Sequence, residues 1–273
     1  MSGVLGALGA KLTDRWLGLL ALPGVVFVTV AVWGVLASHG RAFQVDGPWR
    51  QLERFGTQDG ILPVIAAVGL GAAAIATGYV ARGAGAVVRT AWFGCWRGPA
   101  APVGAFRTAR RRARVERRAQ ERDVEVVPAY LPTQSTWMAD RFQLAEARVA
   151  AQYSGLALTS IWPRLWLLVP DDIRVHVAAS STNLESASVL AGWGLLYLVL
   201  GTIWYPAALV GLVLVLAGWR QGRARSDALA ELIESTVDVH LSLLLKAFGI
   251  DGPPDHVTSE IAARVNDRAR KGT

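Results

Sequence analysis

The chain has 273 residues, 52% of them hydrophobic, with 28 Lys and Arg against 21 Asp and Glu for a net charge of +7. A single cysteine, Cys95, excludes an intramolecular disulfide and any cluster of cysteine metal ligands. Three apolar stretches without one charge, Trp16–Ala37, Ile61–Ala81 and Val189–Trp219, point to an integral membrane protein, so the arginine excess is read first as topology.

Met1–Leu12 carries Gly3, Gly6 and Gly9 and is a weak helix former. The 22 residues of Trp16–Ala37 reach about 33 Å as a helix, enough for a hydrocarbon core of about 30 Å. This apolar run is longer than a signal-peptide core, and no clean small-residue cleavage site follows. It reads as an uncleaved anchor, kinked at Pro23-Gly24. The loop His39–Gly60 is polar and offers no catalytic grouping. Ile61–Ala81 is a second span. Along it Ala67, Gly71, Ala74, Gly78, Ala81 and Gly85 recur at intervals of four and three, lining one helix face with small residues. Packing against the first span is the favoured use of that stripe, and contact with another copy is the alternative. The helix is free to continue past Arg82 and Arg89 toward Trp92 and Trp96.

Residues 98–125 form a basic linker. Arg107, Arg110, Arg111, Arg112, Arg114, Arg117, Arg118 and Arg122 are interrupted only by Glu116 and Glu121. Beside a membrane span such a cluster attracts anionic headgroups. Nucleic acid is the weaker reading, because no aromatics interleave the arginines for base stacking.

Over 126–185 a helical cytoplasmic region is expected. Thr133 or Ser135 caps a helix to about Tyr153, with Met138, Phe142, Ala145 and Val149 as its buried stripe. Trp162-Pro163-Arg164-Leu165-Trp166 reads either as a membrane-hugging piece, with Trp162, Arg164 and Trp166 at the headgroups, or as core packing, and Pro163 is expected to open a new turn. Asp171 or Asp172 caps the next helix.

The 31 residues of Val189–Trp219 are too many for one ordinary span and few for two. Trp204-Tyr205-Pro206 near the middle favours a hairpin over 186–222, one long kinked helix being the competitor. Charge supports the hairpin. With four spans and the N-terminus inside, only Arg41, Arg50 and Arg54 lie outside, and the other 25 basic residues lie on the cytoplasmic side. Ser226–Phe248 is amphipathic, with Leu229, Leu232, Ile233, Val237, Leu241, Leu244 and Leu245 near one face, Asp227, Glu231, Glu234 and Asp238 on another, and Gly249 as C-cap. Its apolar face is expected on the 138–153 helix or on another copy. Residues 251–273 read as a polar tail, disordered at its end.

The expected fold is all-α: a polytopic membrane protein with four transmembrane helices in two hairpins and a small helical cytoplasmic module. The parts are an N-terminal hairpin over 1–97 (spans about 16–38 and 60–82), the linker 98–125, the cytoplasmic region 126–185, the second hairpin 186–222, the amphipathic helix 223–250 and the tail. Both termini are placed in the cytoplasm, at the cell membrane.

No Gly-x-Ser-x-Gly elbow, P-loop, His-Glu-x-x-His or paired-cysteine motif occurs. His39, His176, His240 and His256 are scattered, and no catalytic residue, cofactor or metal is expected. The spans lack the ionisable groups of proton relays. These patterns lead to a non-enzymatic membrane scaffold. Its expected partners are an anionic lipid bilayer and a protein partner or a second copy, with nucleic acid not expected. An oligomeric pore is the alternative, and a lipid-headgroup enzyme at Trp162–Asp172 is a weaker one.

The order and spacing of Leu131-Pro132-Thr133, Trp137-Met138-Ala139-Asp140-Arg141, Trp162-Pro163-Arg164-Leu165-Trp166 and Trp204-Tyr205-Pro206-Ala207-Ala208 resemble a family of integral membrane proteins of high-GC Gram-positive bacteria, actinobacteria above all. The likeness covers roughly 126–250. It implies a membrane protein with a cytoplasmic middle region and carries no assigned activity. One departure is visible: the pattern has Gly-Leu-Asp after Tyr153, whereas this chain reads Ser154-Gly155-Leu156-Ala157.

Overall fold

A computed structural model describes residues 22–37, 61–94, 96, 98–125, 127–250 and 257–270. The glycine-bearing lead, the first six residues of the anticipated first span, the polar loop 39–60 and Cys95 lie outside the described residues. Eight α-helices are present and no strand among the described residues: α1 (Leu22–Ala37), α2 (Leu62–Trp92), α3 (Ala101–Glu121), α4 (Trp137–Gln152), α5 (Leu158–Leu168), α6 (Asp171–Leu200), α7 (Tyr205–Ala247) and α8 (Ser259–Arg270). The fold is all-α. Two of the helices are long and apolar enough to cross a membrane, over Val64–Trp92 and Asp171–Leu200, and α1 is a shorter apolar helix.

Contacts divide the chain into two units. The first holds Met1–Val88 and Ala187–Trp219, and the second holds Arg89–Ser186 and Arg220–Thr273.

The first unit is built on close backbone approach. At Gly24 of α1 an added Cβ would stand 2.1 Å from the Ala74 carbonyl oxygen of α2, and at Gly192 of α6 it would stand 2.3 Å from that of Ala81. Such spacing is possible only without side chains, which is how helices associate where water supplies no driving force. The chain turns at Gly201–Trp204 between α6 and α7. Gly194 then faces Gly211 and Val215, Gly201 faces Ala208, and Gly218 faces Ala187 and Ala191, the numbering of an antiparallel pair. Phe27 fills the remaining gap, its ring 5.0 Å from Tyr197 edge-on and 5.9 Å from Trp193. Outward-facing positions are apolar, with Val64, Val68, Val199, Leu209 and Val213 all exposed.

The second unit is organised the other way round. Ala145 and Val149 of α4, its C-cap Tyr153, Ile161 and Leu165 of α5, Val237, Leu241, Leu244 and Leu245 of α7 and Val265 of α8 share one buried cluster. Several are fully removed from solvent, and each contributes roughly 1.5–3 kcal/mol.

Four local expectations are corrected. The cap of α4 is Thr136, whose hydroxyl accepts from the Ala139 N–H at 3.3 Å, and not Thr133 or Ser135. Thr133 is drawn elsewhere: its backbone N–H and that of Gln134 both donate to Asp140 Oδ1, at 2.9 and 2.7 Å. Pro163 opens no new turn but sits inside α5. Burial of Leu158, Ile161 and Leu165 on one face outweighs the single backbone bond that proline removes. Asp171 and Asp172 stand inside the first turn of α6, where their charges favour the helix dipole, while the Pro170 carbonyl accepts the first helical bond.

The fourth concerns the chain end. α7 runs unbroken for 43 residues, through position 222, and closes at Gly249 with φ 69°, where the Ile250 N–H reaches the Leu245 carbonyl. Beyond it, residues 259–270 are not a disordered tail but helix α8, packed on α5 through Ala262, Val265 and Ala269. Val257 is buried just before the helix and Thr258 caps it at the Ile261 N–H, so its start is fixed from both sides.

Candidate functional site

The second unit carries a polar seam between α4 and α7. Arg141, with a side chain only 9% exposed, donates from Nε to Asp227 and from Nη1 to Glu234, each at 2.5 Å. Arg148 reaches the other Glu234 oxygen at 3.3 Å, and the Tyr153 hydroxyl donates to Asp238 at 2.9 Å. Burial pulls the Arg141 pKa down, but hydrogen bonds to Glu234 and Asp227 together with their charges more than reverse it, leaving it raised. The seam ties α4 to α7: one guanidinium, itself largely buried, holds two carboxylates seven residues apart on α7.

A second cluster joins the basic helix to α4. Arg111 Nη2 lies 2.6 Å from Asp140 Oδ2, and its Nη1 donates to the Gln134 carbonyl at 3.2 Å. Burial lowers the Arg111 pKa, and the adjacent Asp140 offsets this only in part. Gly104 of α3 packs on Trp96, and the Arg107 guanidinium stands 5.2 Å over the Trp96 ring. At the end of α2 the Trp96 indole donates to the Ala91 carbonyl at 2.9 Å and the Thr136 hydroxyl to that of Trp92. Between α3, the short turn Pro128–Tyr130 and α4 lies an open cleft of about 650 Å³ lined by Val115, Tyr130, Leu131, Trp137 and Leu144, with the committed Arg111 and Asp140 at its wall.

The residues singled out by sequence fall into distinct places. Arg110, Arg112, Arg114, Arg117 and Arg118 are exposed on α3, while Arg111 is withdrawn from that set by Asp140. Trp162 and Trp166 are half-buried, their rings 5.8 Å apart, and pack against a cluster containing Val177, Leu184 and Leu229. Arg164 is likewise half-buried and donates to the Ser160 carbonyl at 3.0 Å. Both Trp rings thus make the contacts of the core-packing alternative while keeping part of their surface exposed. The small-residue stripe on α2 divides: Ala74 and Gly78 are buried, as are Ala81 and Gly85, whereas Ala67 and Gly71 are exposed.

Sequence reasoning missed the seam, though a signal was present. Arg141 and Arg148 are seven apart on α4, as are Asp227 and Glu234 on α7, which is two turns on each helix. It also missed Asn266 of α8, which accepts from the Ala157 N–H at 3.0 Å and donates to the Gly155 carbonyl at 2.9 Å. Ala157 is the N-cap of α5 and gives it no side-chain cap.

Among the described residues no group of three or more His, Cys, Asp or Glu is placed to hold a metal ion. His176 is exposed on α6, and His240 on α7 lies 3.2 Å through Nδ1 from the Thr236 carbonyl. Asp171 is exposed and pairs with Arg174 one turn on. No family profile, curated protein or solved structure matches this chain.

Proposed function

We propose that this chain is a non-enzymatic membrane scaffold. In this reading four spans, with both termini cytoplasmic, hold a helical module (the second unit) for a protein partner or a second copy of the chain. The resemblance to actinobacterial membrane proteins fits the same reading. The supporting observation is a change of character along α7. Up to Trp219 its exposed residues are Tyr205, Leu209, Val210, Leu212, Val213, Leu216 and Trp219, all apolar or aromatic. From Arg220 onward Leu229, Val237, Leu241, Leu244 and Leu245 turn inward, only Val239 and Leu243 among its large apolar residues stay exposed, and Asp227, Glu231 and Asp238 face out beside them. One helix thus passes from a surface suited to lipid to one suited to water. Its apolar part, Tyr205–Trp219, is 15 residues or about 22 Å long, so as a fourth span it thins the bilayer around it.

The test is carbonate extraction followed by thiol labelling in a Cys95→Ser background. Ala109→Cys and Lys246→Cys are expected to label only from the cytoplasmic side, and Gln51→Cys only from outside. Extraction of the chain by carbonate, or labelling of positions 109 and 246 from opposite faces, would sink the four-span scaffold.

A further inference from the structure

We infer that α3 is a bilayer-docking helix whose outer strip takes anionic phospholipid headgroups, an inference that rests on the membrane reading above. The helix Ala101–Glu121 holds seven arginines against two glutamates, a net +5. Gly104, Thr108, Arg111 and Val115, spaced by four, three and four, form the line that meets the rest of the second unit or borders its cleft. Centred about a third of a turn away is a second strip of Val103, Phe106, Arg110, Arg114 and Arg117, with Arg118 on its border with the packed line. Every one of these six is exposed.

Three observations choose the occupant. First, none of Arg110, Arg114, Arg117 and Arg118 makes an ion pair among the described residues, in contrast to Arg111 on the packed line. Four free guanidiniums along one strip complement a surface of closely spaced negative charge. Second, Phe106 is 66% and Val103 51% exposed, at the start of the strip. A solvated basic face has no use for an exposed phenylalanine, whereas a helix lying in the interface sinks such residues among acyl chains and leaves its arginines at the headgroups. Third, α3 begins only eight residues after the end of α2, which is long and apolar enough to cross a membrane. Those residues reach at most about 30 Å, so the helix start is tethered close to any bilayer that α2 enters. Nucleic acid fits less well. Phe106 alone offers a stacking face on the strip, since Arg107 covers the Trp96 ring.

Arg111, held by Asp140 and the Gln134 carbonyl, acts as the hinge side of the docking helix. The strip therefore fixes how the second unit meets the lipid surface: α4 hangs from the side of α3 that the headgroups do not touch.

The test uses the full chain, Cys95→Ser, spin-labelled at Ala113→Cys beside the strip and reconstituted into vesicles of neutral lipid or of neutral lipid with about a third anionic lipid. At low salt the label is expected to be shielded from a water-soluble nickel relaxant several-fold more strongly in the anionic vesicles, and high salt is expected to reverse this. Replacing Arg110, Arg114 and Arg117 with Gln removes about three headgroup attractions, so the docked-to-free ratio falls roughly a hundredfold. Phe106→Ala, which leaves the charge intact, makes the label shallower. Helical content by circular dichroism checks that each variant folds. Equal nickel accessibility in neutral and anionic vesicles would overturn the inference, as would shielding that appears only when RNA or an acidic protein is added. A chain stripped from membranes by carbonate refutes the membrane reading itself; a chain that stays and ignores lipid charge refutes the docking helix alone.

Discussion

The two units are both helical, yet they use the same amino acids in opposite ways. In the first, glycine and alanine bring backbones together, and leucine and valine face outward. In the second, leucine and valine fill the centre while arginine and carboxylate pairs hold α4 to α7. The difference follows from the solvent each surface suits. Among lipid tails, apolar side chains gain little by hiding, so contact area comes from close backbone approach. In water the gain comes from removing large apolar surface, and charge serves to fix register.

This contrast is open to breaking at either end. The largest effect is expected from Gly192→Leu, because even a Cβ at 192 meets the Ala81 carbonyl at 2.3 Å. The variant forces α2 from α6 and abolishes a monodisperse peak in detergent chromatography. If α6 tolerates leucine there, close approach is not what holds the first unit. Next comes Leu241→Ala in the second unit, which is fully buried and should lose about 2–5 kcal/mol in denaturant titration. Arg141→Met leaves Glu234 without its nearest cation and is expected to destabilise by about 1–3 kcal/mol. Adding Glu234→Gln recovers part of that loss, a coupling read from a double-mutant cycle.

Two smaller effects sharpen the comparison. Ala157→Asp supplies the cap that α5 lacks and should stabilise the second unit by about 1 kcal/mol, visible as a raised melting temperature. Gly71→Ala, with nothing within 4 Å of the added carbon, should change stability by less than about 1 kcal/mol in the favourable direction. A large loss at Gly71 would mean that this exposed part of the stripe packs against something after all.

Run length and three-to-four spacing made the all-helical fold legible, because both are properties of a helix before it packs. What escaped was decided by competition between neighbours. Thr133, Ser135 and Thr136 are each able to cap a helix, and the choice fell to Thr136 once Asp140 had drawn in the backbone at 133 and 134. Pro163 obeys a local rule that three buried neighbours override. Trp162 and Trp166 suit interface and core alike until α6 and α7 pack against them. In 257–270 the charges drew the eye, although Ala262, Val265 and Ala269 already stand at helical spacing. The exposed basic strip on α3 was visible as composition, but only the fold separates Arg111 from it and adds Phe106.

The docking of α8 gives the last stretch of the chain more weight than its polar makeup suggests. A polypeptide cut before Thr258 would strand the Ala157 amide and the Gly155 carbonyl and lay open the bed that Val265 occupies beside Ile161 and Leu165. Such a shortened product presents a sticky, partly unsatisfied surface to quality-control proteases. A premature stop in this stretch should therefore be found as low abundance in the cell rather than as an altered activity.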